Sequence, residues 1–285
     1  MELVSVKTTD NIELSGLISN SENRENIIIH IHGMASDFYT NSFYYPMHEH
    51  YPKNNYAFLA TENRGIHIIK SLGQVKAIGN AYEKFEESIY DIDAWINFAT
   101  QEGYKNVWLQ GHSLGTVKIA YYAANSDNNL LKGLLLLSPS EMIGLVHDAD
   151  GYQDHKVLYP EALELIKTNQ QNNLLSHKLW KVLLLSAQTY LNLFDDNAAT
   201  GVFNYRLPKE SWKIVENIKV PVLAITGTKD DGIYPVMNPI EAMKLLENKL
   251  IKSPKVKTIV YENAEHDFVD FEENIVHDAI SFLTG

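Results

Sequence analysis

The sequence contains no cysteine. Disulfides, thiolate metal sites and a cysteine nucleophile are therefore excluded. It has no long basic run, and 24 Lys and Arg stand against 36 Asp and Glu, a net charge of -12. Phosphate-backbone binding needs clustered Lys and Arg, so a nucleic-acid partner is not expected. No stretch approaches the roughly 18 apolar residues of a membrane span. The start, MELVSVKTTDNIELSGLIS, alternates apolar and polar residues and lacks the basic and apolar regions of a signal peptide. These absences leave an ordinary globular composition, 45% hydrophobic and 21% charged over 285 residues. Such a chain can bury a substantial core, as one large domain or one domain with an insertion. The cytoplasm is the default location. The sequence carries no sign of oligomeric state.

Residues 2–8 and 12–19 alternate as two strands of a hairpin turned at Thr9-Asp10-Asn11. Short apolar runs at 27–31 and 56–61 suit strands buried on both faces, with room for a helix at 39–50. Residues 81–103 have helical spacing, followed by a strand at 106–110, a helix to about 125 and a strand at 131–138. The alternation then pauses. Residues 141–208 carry helix-like stretches at 160–175 and 177–194. In the second, Trp180, Leu183, Leu184, Ala187, Tyr190, Leu191 and Phe194 recur at three- and four-residue steps. A strand at 220–226, a helix near 239–250, a strand near 256–261 and a helix at 270–283 resume the pattern. The expected fold is a doubly wound, mostly parallel sheet. Its core comprises residues 1–140 and 209–285, with a helical insertion at 141–208.

Gly111-His112-Ser113-Leu114-Gly115 stands between a strand and a helix. With 15 glycines, chance supplies a G-x-S-x-G match in roughly one such chain in twenty, so context decides. A serine on a sharp strand-to-helix turn has its hydroxyl exposed above the sheet, and the flanking glycines remove Cβ atoms that would clash. The bland reading is a plain turn with glycines for packing. A serine nucleophile needs a base, and the base needs an orienting acid. Gly227-Thr228-Lys229-Asp230-Asp231 follows one later strand, and Glu262-Asn263-Ala264-Glu265-His266-Asp267-Phe268 follows the next. His266 is the expected base. Asp230 is favoured over Asp231 as the acid, because it lies three residues after the strand-ending glycine. The oxyanion donors are expected to be the N–H groups of Leu114 and, after His32-Gly33, Met34.

Together these motifs resemble a serine hydrolase of the α/β-hydrolase fold. The similarity covers nearly the whole chain: His32-Gly33-Met34, Arg64-Gly65, the Ser113 motif, Gly227 to Asp230, and Ala264 to Phe268. With ENRG and GHSLGT, it is similar to a bacterial and fungal branch without a firmly assigned substrate. The resemblance implies about eight strands, a lid between Ser138 and Val220, and no cofactor. The doubled Asp230-Asp231 departs from the usual single acid.

Other residues carry weaker signals. His30 and His32 alternate on one strand, with His48 and His50 nearby, but no third ligand cluster accompanies them, so metal binding is the lesser reading. His112 reads as a packing residue. Phe38, Tyr39, Phe43, Tyr44 and Tyr45 either pack in the core or wall an acyl pocket, and Trp180 and Tyr190 could roof it. The expected activity is hydrolysis of a carboxylic ester or thioester of a small molecule with an apolar acyl or aromatic group. Acyl transfer through the same acyl-serine, and ligand binding without catalysis, are the alternatives.

Overall fold

The computed structural model describes residues 1–72, 76–148 and 151–285. Its centre is an eight-stranded sheet. β1 (Glu2–Lys7) and β2 (Glu13–Ser19) form the antiparallel hairpin, with β1 at one edge of the sheet. β3 (Asn26–Ile31), helix α1 (Tyr44–Lys53) and β4 (Tyr56–Thr61) follow. β5 (Lys70–Leu72) and β6 (Lys76–Ile78) pair antiparallel as a separate small sheet, and residues 73–75 between them lie outside the described residues. Next come α2 (Ser88–Gln101), β7 (Asn106–His112), α3 (Leu114–Asn125) and β8 (Leu131–Leu137). After the segment between them, the chain returns through β9 (Val222–Gly227) and β10 (Val256–Tyr261), given below with their helices. The order is β1-β2-β4-β3-β7-β8-β9-β10, with β2 antiparallel to both neighbours and the remaining pairs parallel.

Burial on both faces explains the continuous apolar runs. Ile27, Ile29 and Ile31 point into one core, shared with Ile92 and Trp95 of α2 and Val117 of α3. Ile28 points into the other, with Met47 of α1. Register then aligns the functional edge. Ile31 pairs with Gly111, His112 with Leu137, Leu137 with Ile225, and Gly227 with Tyr261. The carboxyl ends of β3, β7, β8, β9 and β10 therefore lie side by side, where such sheets bind ligands.

Residues 141–208 are helical in part, and the helices fall elsewhere than expected. They are α4 (Gly144–His147), α5 (Tyr152–Lys167) and α6 (Ala187–Phe194), and residues 149–150 lie outside the described residues. The stretch expected at 160–175 stops at Lys167, because Asn169 turns left-handed at φ 56°. The stretch expected at 177–194 is not one helix. Trp180 and Lys181 are both left-handed (φ 50° and 64°), and Leu179 and Leu183 close a tight turn by a short antiparallel bridge. Helix begins at Ala187, where the Ser186 hydroxyl accepts from Thr189 N–H at 3.2 Å. Only the carboxyl half of the apolar stripe is helical.

The two ends of this segment meet at Glu141. Its carboxylate accepts from Gly144 N–H at 2.8 Å and Arg206 N–H at 3.1 Å. Burial, opposed by those two bonds, pushes Glu141 up to about 7. The chain then passes through α7 (Lys213–Glu216), β9, α8 (Pro239–Lys249), β10 and α9 (Glu272–Thr284). α9 packs its Ile275 and Val276 with α1 beneath the sheet. Among the described residues, no helix is long and apolar enough to cross a membrane.

Candidate active site

Ser113 is the single residue between β7 and α3. Its backbone sits at φ 55°, ψ -125°, a conformation that L-residues adopt at a cost of roughly 1–3 kcal/mol. Its N–H is tied to the Leu137 carbonyl at 3.0 Å, and its carbonyl accepts from Thr116 N–H at 2.9 Å. The turn works only with small neighbours. A Cβ on Gly115 would run into the Ile31 carbonyl, and one on Gly33 would lie 2.9 Å from the Ser113 Cβ. The loop after β3 is thereby pressed against the serine, with Met34 beside it on the same cavity.

His266, on the loop after β10, donates from Nδ1 to Asp230 Oδ1 at 2.6 Å. Asp230 is fully buried on the loop after β9. It also accepts from the Thr226 hydroxyl at 2.6 Å and Gly232 N–H at 2.9 Å. Burial would raise its pKa, but the His266 charge and these donors outweigh it and hold it at about 2. For His266, burial lowers the pKa and the Asp230 charge and hydrogen bond raise it further, to about 9. Asp231 stands apart: its oxygen is 3.8 Å from His266 Nδ1, and it is exposed.

Two donors hold the His266 backbone. His112 Nε2 donates to its carbonyl at 2.9 Å, and the Ser138 hydroxyl donates to the same oxygen at 3.1 Å. Burial, and then the neighbouring His266, hold His112 down at about 4, so its ring stays neutral. His112 thus does more than pack. Ser138 and Thr226 were not foreseen. The available signal was that Ser138 directly follows β8 on the functional edge, where strand ends reach the site.

Ser113 and His266 open onto one cavity of about 750 Å³. Met142, Leu145, Trp180, Val182 and Leu183 give it apolar wall, and Asp154, Lys181 and Asp231 line it as charged residues. Of the expected wall residues, only Trp180 lines it. Tyr190 is fully buried inside the 141–208 segment, where its hydroxyl meets His155 Nδ1 at 2.9 Å. It misses the cavity because the turn at Trp180 breaks the stripe before α6. Phe38 packs with the core beneath the sheet, and Tyr39 is exposed beside His67. The α1 side of the sheet takes the aromatics that follow Gly33; Tyr44 and Phe43 are buried against His30.

The histidines of the first half do not gather as ligands. His30 Nδ1 pairs with Gln110 at 2.8 Å, His48 Nδ1 with Ser19 at 2.8 Å, and His50 lies 3.3 Å from Glu273. Among the described residues, the one grouping of metal-ligand type is Asp230, Asp231 and His266 themselves.

No curated protein matches the chain by sequence. Several solved structures match it along nearly its whole length. An esterase of Pyrococcus furiosus, Pf2001, is 17% identical with a TM-score of 0.63, over 99% of this chain and 90% of that one. Est1E from Butyrivibrio proteoclasticus, solved with ferulic acid bound, is 16% identical with a TM-score of 0.66, over 99% and 98%. The α/β hydrolase GrgF from Penicillium sp. is 14% identical with a TM-score of 0.68, over 99% and 97%. At such identity the likeness is one of fold. The sequence model of the serine aminopeptidase S33 family matches residues 22–274, and the chain belongs to that family of α/β hydrolases.

Proposed function

We propose that the protein cleaves a carboxylic ester or thioester through an acyl-Ser113 intermediate. The observation that carries this reading is the bond of half-buried His266 to the buried Asp230 at 2.6 Å, with His266 and the strained Ser113 opening onto one cavity. The Ser113 hydroxyl attacks the substrate carbonyl carbon while His266 takes its proton on Nε2. Asp230 holds the ring with Nδ1–H inward and stabilises the imidazolium. The oxyanion is met by the N–H groups of Leu114, at the amino end of α3, and Met34. Collapse breaks the bond to the leaving alcohol or thiol, which takes the proton from His266. Water, deprotonated by His266, then releases the acid and restores Ser113.

The segment 141–208 acts as a lid in this reading. It joins the core through Glu141 and supplies Trp180, Val182 and Leu183 to the cavity. The apolar wall suits an apolar acyl or aromatic group. The esterase neighbours and the ferulic acid bound to one of them support the same substrate class. A fluorophosphonate probe tests the reading: it should label Ser113 in the intact protein and fail to label Ser113→Ala. Labelling at Ser138 or Ser140, or none in the wild type, would refute it.

A further inference from the structure

Lys118 is an unexpected core residue. It lies one turn beyond Leu114 in α3, wholly out of solvent. Its ammonium pairs with the equally buried Glu83 and donates to Asn63 Oδ1 at 2.9 Å. A buried ion pair adds little stability over apolar packing of the same volume, so stability alone does not account for it. Asn63 belongs to the ENRG stretch, whose charged members are engaged elsewhere: Glu62 with Lys70, and Arg64 with Asp91.

The bonds around Asn63 run in one direction. Its Oδ1 also accepts from Gly65 N–H at 2.9 Å, so the oxygen end faces Lys118 and Gly65. Its Nδ2 end therefore faces His32 and donates to the His32 carbonyl at 3.2 Å. The Asn63 backbone N–H donates to His32 Nε2 at 3.2 Å. Nε2 is thus the acceptor, and the ring proton sits on Nδ1, which donates to the Gly33 carbonyl at 2.7 Å. Burial and the Lys118 charge hold His32 down at about 3, so the ring stays neutral. The Gly33 carbonyl and the Met34 N–H belong to one trans peptide plane, so they point in opposite directions. Fixing the carbonyl fixes the N–H.

We infer that Lys118, Asn63 and His32 are positioning residues for the oxyanion hole. The ammonium orients the Asn63 amide so that its Nδ2 holds the His32 carbonyl, the Asn63 backbone N–H selects the Nδ1–H tautomer of His32, and that N–H holds the 33–34 peptide with the Met34 N–H directed to the space beside Ser113. The inference rests on the acyl-serine reading above, with Met34 as a donor. None of the three residues touches substrate; each acts through the next.

The test uses three variants of the intact protein. Lys118→Met combined with Glu83→Gln removes both charges, leaving neither buried alone. His32→Leu removes the final donor. His32→Asn puts an amide N–H in its place. In the wild type, the ¹⁵N shifts of His32 should report the neutral Nδ1–H tautomer from pH 5 to 9. In the double variant that tautomer should persist, since a backbone N–H sets it, while the Asn63 amide loses its fixed orientation toward the His32 carbonyl. Loss of one oxyanion donor costs about 10²–10³-fold in kcat, and misalignment of one should cost ~10-fold or more. KM should change by less than ~2-fold, and affinity for an aryl trifluoromethyl ketone should fall by the same factor as kcat/KM. His32→Leu should match that loss, and His32→Asn should recover most of it. A wild-type His32 protonated on Nε2, or a folded His32→Leu protein with wild-type kcat, overturns the inference. If the wild type itself is not labelled by a fluorophosphonate, the acyl-serine reading fails and takes the inference with it. A labelled wild type beside unimpaired variants defeats the positioning role alone.

Discussion

Ser113 and Trp180 face the same cavity, and both are left-handed, yet they are held in different ways. Around Ser113, strands β7 and β8 and a helix end hold the backbone N–H and carbonyl, and the neighbouring glycines have no room for a Cβ. Around Trp180, the backbone is a single local turn closed between Leu179 and Leu183, the Trp180 N–H goes to the Asp154 carboxylate at 2.7 Å, and the ring leans on Phe194 at 5.9 Å. The floor of the cavity is held by neighbouring strands of the central sheet, and the Trp180 side by one local turn and side-chain contacts. On the proposed function, chemistry needs fixed geometry and is placed on the floor, and choice of substrate, which tolerates variation, on the roof.

The sharpest break of this contrast is Ser113→Ala. It should lower kcat by about 10⁴-fold or more while stability stays within about 1 kcal/mol, since the strained backbone remains and one hydroxyl is lost. Asp230→Asn comes next. Loss of the orienting charge should cost up to about 10⁴-fold in kcat. Asp231→Asn should cost less than about 3-fold, because Asp231 is exposed and 3.8 Å from the ring. Equal losses in the two would assign the role to a shared pair.

On the roof, Trp180→Ala should reorder acyl esters by kcat/KM, with little loss of stability for a half-buried ring. Tyr190→Ala should do the opposite, costing roughly 3–5 kcal/mol in urea unfolding and leaving the order intact. If both destabilise and neither reorders substrates, the roof is only core.

The smallest effect is one of pH. In the proposed mechanism catalysis needs a neutral His266, and Asp230 raises its pKa to about 9, so kcat/KM should climb with pH until about 9 rather than level near 6.5. Asp231 contributes to the same rise, so Asp231→Asn should move that limb to lower pH by a fraction of a unit. The sign for stability is the reverse. The raised His266 contributes fully below 6.5 and loses its contribution as pH climbs through 9. The depressed Asp230 contributes above 3.8 and loses its part as pH falls through 2.

The floor was legible because its signals are local and redundant. β10 was expected at 256–261 and occupies Val256–Tyr261, and the Ser113 motif sits between strand and helix as its glycines imply. Short runs of apolar and β-branched residues define such strands, and glycines on either side of the serine define the elbow. The roof was not legible. Apolar residues at three- and four-residue steps from Trp180 to Phe194 suit a helix, but periodicity carries no sign of two consecutive left-handed residues, and neither Trp180 nor Lys181 is a residue that announces one. The β5–β6 pair escaped because three-residue strands give alternation too little length. The partners of His266 escaped for a different reason. That His112 and Ser138 share one carbonyl depends on the alignment of β7, β8 and β10, which no single segment encodes.

Acid quench during turnover of p-nitrophenyl butyrate, followed by peptide mass analysis, tests the central claim most directly. The account predicts a burst of p-nitrophenol about equal to the enzyme concentration when deacylation is slow. It also predicts a butyryl group on the peptide carrying Ser113, absent from Ser113→Ala. Turnover with the acyl group on Ser138 or Ser140, or undiminished turnover by Ser113→Ala, would contradict it.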